Sequence, residues 1–212
     1  MKYFVKTPWW LRKIFPSYLW HRKTTEKILY LSFDDGPHPV ATPFVLEELR
    51  RHNAKATFFC IGKNVARYPE LYERILFEGH SVGNHTYHHL NGWKTKDEDY
   101  VADVLNADEL ISSSLFRPPY GRITASQAKK IRRRNNGSDR IIVMWDIVSG
   151  DFDKNLNGMQ CAENVIRNAR PGSIIVCHDS EKAFSRIEIM LPEVLKFFSG
   201  NGYRFESLEK LM

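Results

Sequence analysis

Two adjacent carboxylates, Asp34 and Asp35, stand where an apolar run stops at a Gly-Pro turn. Successive strand residues point to opposite faces, but a turn directly after them lets both carboxylates face one opening. One carboxylate can then bind a metal while the other, held off the metal, accepts a proton. For this segment alone, a plain Asp-Gly turn that begins a loop is the competing interpretation.

Histidines follow a second apolar run, within residues 83–89. His85 and His89 are four residues apart, which on a helical turn puts both imidazoles on one face, while His88 points elsewhere. Two imidazoles and one carboxylate suit zinc, which in catalytic sites takes three protein ligands and leaves a position for water. Cobalt, nickel and manganese also accept these ligands. A chance pair of surface histidines is the alternative, and the nearby acidic pair argues against it.

Three more apolar runs end in polar segments that contain Arg117, Asp151 and His178, so five of the seven predicted strands end in polar groups. In a barrel of parallel strands, the carboxyl ends collect on one face, which holds the chemistry of such folds. Each residue alone has a structural interpretation: Arg117 as an ion-pair partner, Asp151 as a helix cap and His178 as a hydrogen-bonded strand-end histidine. Their joint occurrence on one predicted rim favours a site.

The elements that would position these residues alternate between short apolar runs and longer stretches of helical period, which indicates an α/β fold. The apolar runs predict seven strands, at residues 28–33, 56–61, 80–84, 115–117, 140–145, 173–177 and 203–205. Helical patterns lie between them, at residues 42–52, 64–78, 96–113, 124–135, 159–169 and 186–200. Their lengths suit helices that connect parallel strands.

The length of 212 residues and the hydrophobic fraction of 42% predict one compact catalytic domain. Because we find no membrane-spanning apolar run and no recognisable signal peptide, we expect a cytoplasmic or peripherally membrane-associated protein. The three cysteines are expected to be buried free thiols. We expect a monomer.

Residues 1–25 are predicted to form a basic, aromatic N-terminal arm ahead of a catalytic domain at residues 26–212. Residues 1–23 contain six basic residues and no acidic one, which equals the whole formal charge of +6. Removing those six from the 31 basic residues leaves 25, the number of acidic residues, so the remainder has no net charge to attract nucleic acid. The arm could contact a membrane surface, but packing on the domain is the favoured interpretation, because Pro8 and Pro16 interrupt any long amphipathic helix. The basic run at 129–134 is interpreted as a solvated helix end.

At five segments the chain resembles the polysaccharide deacetylases of carbohydrate esterase family four, which include chitin, chitooligosaccharide and peptidoglycan deacetylases and some acetylxylan esterases. The matching segments are Asp-Asp-Gly at 34–36, His-Thr-Tyr-His-His at 85–89, Arg-Pro-Pro-Tyr at 117–120, Asp-Phe at 151–152 and Val-Cys-His at 176–178. The Asp-Phe pair departs most, because many relatives have Asp-Trp there and a further Asp where this chain has Val148. The resemblance spans roughly residues 28–210 and implies a distorted (β/α) barrel with about seven parallel strands in a single domain.

The resemblance also implies how the polar residues divide the chemistry. Asp35, His85 and His89 would hold a divalent metal, with zinc favoured, that lowers the pKa of a bound water. Asp34 would take the proton of that water and Arg117 would orient Asp34.

On the leaving-group side, the resemblance implies that His178 protonates the departing amine, with Asp151 orienting His178. The backbone N–H of Tyr120 would stabilise the oxyanion. The side chains of Tyr120, Phe152 and Val176 would line a notch for the acetyl methyl group.

We therefore expect a metal-dependent hydrolase that removes acetyl groups from N-acetylated sugars of a poly- or oligosaccharide, of chitooligosaccharide or peptidoglycan type. The enzymatic alternatives are a deacetylase or deformylase of a lipid-linked amino sugar, which the arm would favour, and an acetylxylan esterase. A carbohydrate-binding pseudoenzyme is the alternative without catalysis, and the intact polar set argues against it. The short loops predict a shallow groove that suits a long polymer.

Overall fold

Eight strands form one sheet in the computed structural model, which describes residues 3–132 and 139–208. Their bounds are β1 (Ile28–Asp34), β2 (Ala56–Cys60), β3 (Ser81–Asn84), β4 (Leu115–Phe116), β5 (Ile141–Ile142), β6 (Ile147–Val148), β7 (Ile174–His178) and β8 (Arg204–Phe205). Strands follow the order β5-β4-β3-β2-β1-β7-β6, and β8 pairs with β1 beside that path. Every one of these pairings is parallel. Seven parallel strands on one curled path confirm the predicted distorted barrel.

The central strands are buried along their whole length because both faces of the sheet are covered. All seven residues of β1 and all five of β2 are buried. Parallel strands between layers of helices read as continuous apolar runs rather than as alternating patterns. This explains why the runs at 28–33 and 56–61 predict their strands well.

The strand predicted at 140–145 is shorter in the structure, where β5 covers only Ile141–Ile142 and the N-terminal arm pairs beside the residues that follow. The Leu19 N–H donates to the Ile142 carbonyl (2.9 Å), and the Met144 N–H donates to the Leu19 carbonyl (2.7 Å). The two-residue strand β6 that follows has no counterpart among the predicted strands. A run of two apolar residues is too short to be distinguished by pattern.

Eight α-helices accompany the strands in the described residues. Their bounds are α1 (Trp9–Ile14), α2 (Ala41–Arg51), α3 (Gly62–Arg67), α4 (Pro69–Phe77), α5 (Asp97–Asp108), α6 (Ala125–Ile131), α7 (Gly158–Asn168) and α8 (Glu181–Gly200). The single helix predicted at 64–78 is two helices, because Tyr68 precedes a proline and its backbone (φ −133°, ψ 59°) leaves the helical region. Helix α8 begins earlier than predicted and continues through Pro192. The predicted helix 124–135 and the basic run 129–134 lie partly outside the described residues.

Three apolar clusters form among the described residues, and together they cover both faces of the curled sheet. The largest cluster joins β1, β2 and β7 to helices α2, α7 and α8. A smaller one contains alternate strand residues such as Tyr30, Phe59 and Val143, which belong to the opposite face. The cysteines Cys60, Cys161 and Cys177 are buried free thiols, as predicted.

The N-terminal arm packs against the sheet near β5 and β6. Isolated bridges join Lys6 to Ile147, Leu19 to Val143 and His21 to Ser173. Arg12 forms an ion pair with Asp146, which is fully buried and also accepts a hydrogen bond from Ser173 Oγ (2.6 Å). Helix α1 nevertheless exposes large apolar side chains, namely Trp9, Trp10 and Ile14, with Phe15 exposed directly after it. Among the described residues, none of the helices has the length and apolar character needed to cross a membrane.

Candidate active site

The polar strand ends meet at one rim because of the strand order. Strands β4, β3, β2, β1 and β7 are neighbours and run parallel, so their carboxyl ends share one edge of the sheet. Asp34 ends β1 and His178 ends β7, while His85 and Arg117 directly follow β3 and β4. The structure therefore brings together the segments that the sequence predicts on one rim.

Asp35, His85 and His89 form the cluster that can hold a metal ion. One ligand atom from each residue lies within 4.8 Å of the other two. Asp35 Oδ1 is 3.1 Å from His89 Nε2 and 3.7 Å from His85 Nε2. Asp35 Oδ1 is also buried and has no hydrogen-bond partner in the described part of the chain. A buried carboxylate oxygen without a partner, facing two imidazole nitrogens, fits a divalent cation.

Electrostatics keep two of these groups in the protonation states that a metal needs. Burial lowers the pKa of His85 to about 4, so its imidazole is neutral near pH 7. Burial alone would raise the pKa of Asp35, but the contact with His89 and the charges of three histidines hold it below its ordinary value. His85 Nδ1 is 2.7 Å from the Arg117 carbonyl, so Nε2 is the nitrogen left for the cluster. Neutral imidazole and ionised carboxylate are the metal-binding forms.

The two imidazoles converge by a different backbone route from the predicted helical turn. Residues 85–89 are not helical, and Thr86 (φ 64°) and His89 (φ 60°) both have left-handed backbone conformations. The Asn84 side chain accepts a hydrogen bond from the Thr86 N–H (2.8 Å), which fixes this turn. His88 points away, as predicted, and its Nδ1 lies 2.6 Å from Asp103 Oδ1.

Left-handed backbone marks this rim more widely. Asp35, Thr86, His89 and Tyr120 are four of the five described non-glycine residues with positive φ, and the fifth is Asn53 in a helix-terminating turn. Such conformations cost about 1–3 kcal/mol each and persist where the surrounding structure imposes them, often at functional sites. These conformations therefore lower the stability of the fold but shape this opening.

Asp34 is held beside the cluster by a buried arginine. Arg117 is fully buried, and its Nη1 donates to Asp34 Oδ1 (2.6 Å) and Ser32 Oγ (2.8 Å). Its Nη2 donates to the Met144 carbonyl (3.0 Å), and the guanidinium stacks over the Phe59 ring at 4.0 Å. Asp34 Oδ2 is left facing the cluster, 4.0 Å from His85 Nε2. The carboxylate is thus fixed by one oxygen and open at the other.

His178 and Asp151 form a second acid-base pair on the same rim. His178 Nδ1 is 2.7 Å from Asp151 Oδ1, and the His178 backbone N–H donates to Asp151 Oδ2 (2.6 Å). Burial lowers the pKa of His178, but the Asp151 carboxylate outweighs burial and, with Asp35 and Asp34, raises it to about 10. Arg186 in turn donates to the Asp151 carbonyl. The raised pKa favours the protonated imidazole near pH 7, and Nε2 is free of this pair.

The three residues predicted to line an acetyl notch lie beside these histidines. The Tyr120 ring packs edge-on against His89 with centroids 4.6 Å apart, and the Phe152 ring packs likewise against His178 at 5.4 Å. Val176 is buried two residues before His178 in β7, which puts both side chains on one face of the strand.

Comparison with known proteins identifies the family to which this arrangement belongs. The family model for polysaccharide deacetylase matches residues 21–135, which is more than half of the chain. The chain belongs to the polysaccharide deacetylase family. It is an enzyme of that class, a hydrolase, as the motifs predict.

Similar proteins cover most of this polysaccharide deacetylase. A peptidoglycan-N-acetylglucosamine deacetylase of Bacillus cereus is 34% identical over 91% of this chain and 92% of the relative. A chitooligosaccharide deacetylase of Azorhizobium caulinodans is 35% identical over 71% and 73% of the two chains. The crystal structure of a peptidoglycan N-acetylglucosamine deacetylase superposes with a TM-score of 0.86, at 29% identity and 97% coverage of both chains. The chain spans only 39% of some longer peptidoglycan deacetylases.

The structure of the deacetylase also contains site residues that the sequence reasoning missed. Asp179 is fully buried, and its Oδ2 accepts a hydrogen bond from Thr42 Oγ1 (2.5 Å). Burial, with the charges of Asp35 and Asp34, raises the pKa of Asp179 to about 8. A Cβ on Gly36 would lie 2.1 Å from Asp179 Oδ2, so only glycine fits there. In the sequence, the position of Asp179 directly after His178 is the feature that could have indicated its place in the site.

The arm reaches this rim through its first described residue. The Tyr3 ring lies 5.0 Å from the Phe152 ring. Tyr3 thereby supports the loop that carries Asp151 and Phe152. No local pattern in the sequence indicates this contact, because it joins the two ends of a long chain segment.

Proposed function

We propose that this polysaccharide deacetylase uses a divalent metal to remove acetyl groups from N-acetylated sugars of a poly- or oligosaccharide. The observation that carries the proposal is the convergence of the Asp35, His85 and His89 ligand atoms within 4.8 Å, around a buried Asp35 oxygen without a hydrogen-bond partner. Similarity to peptidoglycan and chitooligosaccharide deacetylases supports the substrate class.

Asp35, His85 and His89 are the residues that would hold the ion. The donor set of two imidazoles and one carboxylate supports zinc, with cobalt, nickel and manganese as the other candidates. When bound, the cation would supply a Lewis acid that acidifies water and polarises the acetyl carbonyl. The remaining steps depend on the chain's own residues.

Asp34 is the proposed general base. Arg117 fixes Asp34 Oδ1 at 2.6 Å, so Oδ2 is the oxygen directed at the space above the cluster. There it accepts a proton from the water that attacks the acetyl carbon. The backbone N–H of Tyr120 is the proposed donor to the carbonyl oxygen, which gains negative charge in this step.

His178 is the proposed general acid. Breaking the carbon–nitrogen bond leaves acetate and an amine that must gain a proton, and protonated His178 donates it from Nε2. Asp151 fixes the other ring nitrogen and keeps the imidazolium charged. Tyr120, Phe152 and Val176 are the proposed walls for the acetyl methyl group.

The position of the arm helix favours a glycan strand over a lipid-linked sugar as the substrate. Arg12 of α1 pairs with Asp146, which bonds to Ser173, the residue before β7. His178 ends β7, five residues further on, which is roughly 16 Å along a strand. The exposed face of α1 therefore lies toward the opposite end of the strand from the proposed site.

Acetate release tests the proposal. Protein loaded with zinc should release acetate from N-acetylated chitooligosaccharides or peptidoglycan fragments, a chelator should abolish release, and added zinc or cobalt should restore it. Acetylxylan tests the esterase alternative in the same assay. A metal-loaded protein that releases acetate from none of these substrates would support the carbohydrate-binding pseudoenzyme instead.

A further inference from the structure

Two chain segments leave the metal-site cluster and meet again at one surface. One runs from His89 to Trp93 and the other from Tyr120 to Arg122, and the rings of His89 and Tyr120 touch where the segments begin. At the far end, the Arg122 guanidinium carbon lies 5.1 Å from the Trp93 ring centroid. Arg122 is two residues after Tyr120, so its Cα atom lies at most about 7 Å from the Cα atom of Tyr120, beside the site.

The Trp93 ring is fixed in place and yet exposed. Its backbone N–H donates to Asn91 Oδ1 (3.1 Å), and its indole N–H donates to the Ile123 carbonyl (3.3 Å). Even so, 64% of the residue's surface is exposed. An indole with its polar edge satisfied and its ring in water offers a preorganised apolar surface for the C–H face of a sugar ring.

The two segments are locked together beneath that ring. Gln127 is fully buried, and its Nε2 donates to the carbonyls of Gly92 (2.9 Å) and Thr95 (3.2 Å). A Cβ on Gly92 would lie 2.5 Å from the Arg122 carbonyl oxygen, so the segments touch backbone to backbone. Hydrogen bonds and close backbone packing therefore hold this surface in place.

Arg122 brings a charge that none of the described residues neutralises. Within residues 3–132 and 139–208, no carboxylate lies within 4.0 Å of its guanidinium, whereas the buried Arg117 and Arg140 both pair with aspartates. Stacking on an indole orients a guanidinium and leaves its N–H fork available. That fork matches a carboxylate in two-point hydrogen bonding.

We propose that Trp93 and Arg122 form a sugar-binding subsite for a carboxylate-bearing amino sugar next to the sugar that loses its acetyl group. Trp93 packs on the sugar ring and Arg122 pairs with the carboxylate. The inference rests on the proposed deacetylase function and narrows its substrate to glycans in which carboxylate-bearing sugars alternate with N-acetylglucosamine, as in peptidoglycan strands. A neutral chitooligosaccharide would use only the Trp93 half of the subsite.

The test compares two probes of equal length: a chitotetraose with all amines acetylated, and a peptide-free peptidoglycan tetrasaccharide with free lactyl carboxylates. For Arg122→Gln, kcat/KM for acetate release from the peptidoglycan probe should fall about five- to tenfold, as for a partly exposed charge-assisted pair, with a much smaller fall on chitotetraose. Arg122→Lys should fall in between, and Trp93→Ala should raise KM for both probes. Higher salt should reduce the ratio of the wild-type kcat/KM for the peptidoglycan probe to that for chitotetraose.

Lys27→Gln is the matched control, since Lys27 is also a cation beside an aromatic ring, 5.8 Å from Tyr203, and precedes the amino end of β1. This variant should leave kcat/KM for both probes unchanged. Equal losses on the two probes in Arg122→Gln, or none, would overturn the subsite. Calorimetric Kd values for both probes separate the two claims. If wild type binds the peptidoglycan probe more tightly than chitotetraose and Arg122→Gln loses this difference, the subsite is upheld. Absence of acetate release by wild type would then overturn the deacetylase function alone.

Discussion

Replacing Arg117 with methionine tests how the buried ion pair holds the proposed base. The variant removes the hydrogen bonds to Asp34, Ser32 and Met144 while keeping an apolar stem over Phe59. Asp34 is only 4% exposed, so its carboxylate would stay buried without a cation. Breaking a buried pair in this way costs about 3–5 kcal/mol, a large share of the roughly 5–15 kcal/mol that stabilises a domain.

Urea unfolding followed by circular dichroism measures that loss. The double variant Asp34→Asn/Arg117→Met removes the stranded charge and should recover about 1–3 kcal/mol of the free energy of unfolding. Arg140→Met is a matched control, because the Arg140 side chain is also fully buried but pairs with Asp108 outside the site. It should lose stability and still release acetate while folded. An Arg117→Met protein within about 1 kcal/mol of wild type would refute the reasoning.

Two further perturbations address the proposed acid and the arm. Asp151→Asn should lower the pKa of His178, since burial lowers it and Asp151 is the main group that raises it to about 10. His178 acts as an acid only while protonated, so activity is lost as pH rises through its pKa, and the alkaline limb of the pH-rate profile should move to lower pH. An unmoved limb would exclude His178 as the acid. Trp9→Ser/Trp10→Ser should reduce flotation with anionic liposomes, whereas Phe77→Ser, which removes a ring 91% exposed outside the arm, should not. Substitution is preferable to truncation because the arm pairs with the sheet. Equal flotation of both variants and wild type would argue against membrane contact.

The rim of polar residues is predictable because parallel strands bring their carboxyl ends to one edge. Apolar runs that end in Asp34, His85, Arg117 and His178 therefore reach the same rim in any parallel barrel, whereas the order of the strands decides which of them are neighbours. The backbone that aims the side chains is less predictable. Thr86 and His89 adopt left-handed conformations that are uncommon outside glycine, and this turn is held both by the local Asn84 hydrogen bond and by the Tyr87 N–H, which donates to Asp103 Oδ2 of another segment (2.9 Å).

Contacts between distant segments account for most of what the sequence does not reveal. Local patterning marks the arm as basic and aromatic, but the pairing of Leu19 with the end of β5 and the packing of Tyr3 on Phe152 depend on the assembled fold. Trp93 and Arg122 are 29 residues apart and belong to no recognised motif. Only their meeting beside the site gives them a functional interpretation.

Metal content of purified variants tests the central claim most directly. After loading with zinc and dialysis, elemental analysis should find about one ion per chain in wild type and in Asp34→Asn, because the proposed base is not a ligand. His85→Ala and His89→Ala should retain little metal. His88→Ala is the matched control and should keep its ion, since its imidazole pairs with Asp103 instead. Full metal content in folded His85→Ala and His89→Ala would contradict the account, as would loss of metal in Asp34→Asn.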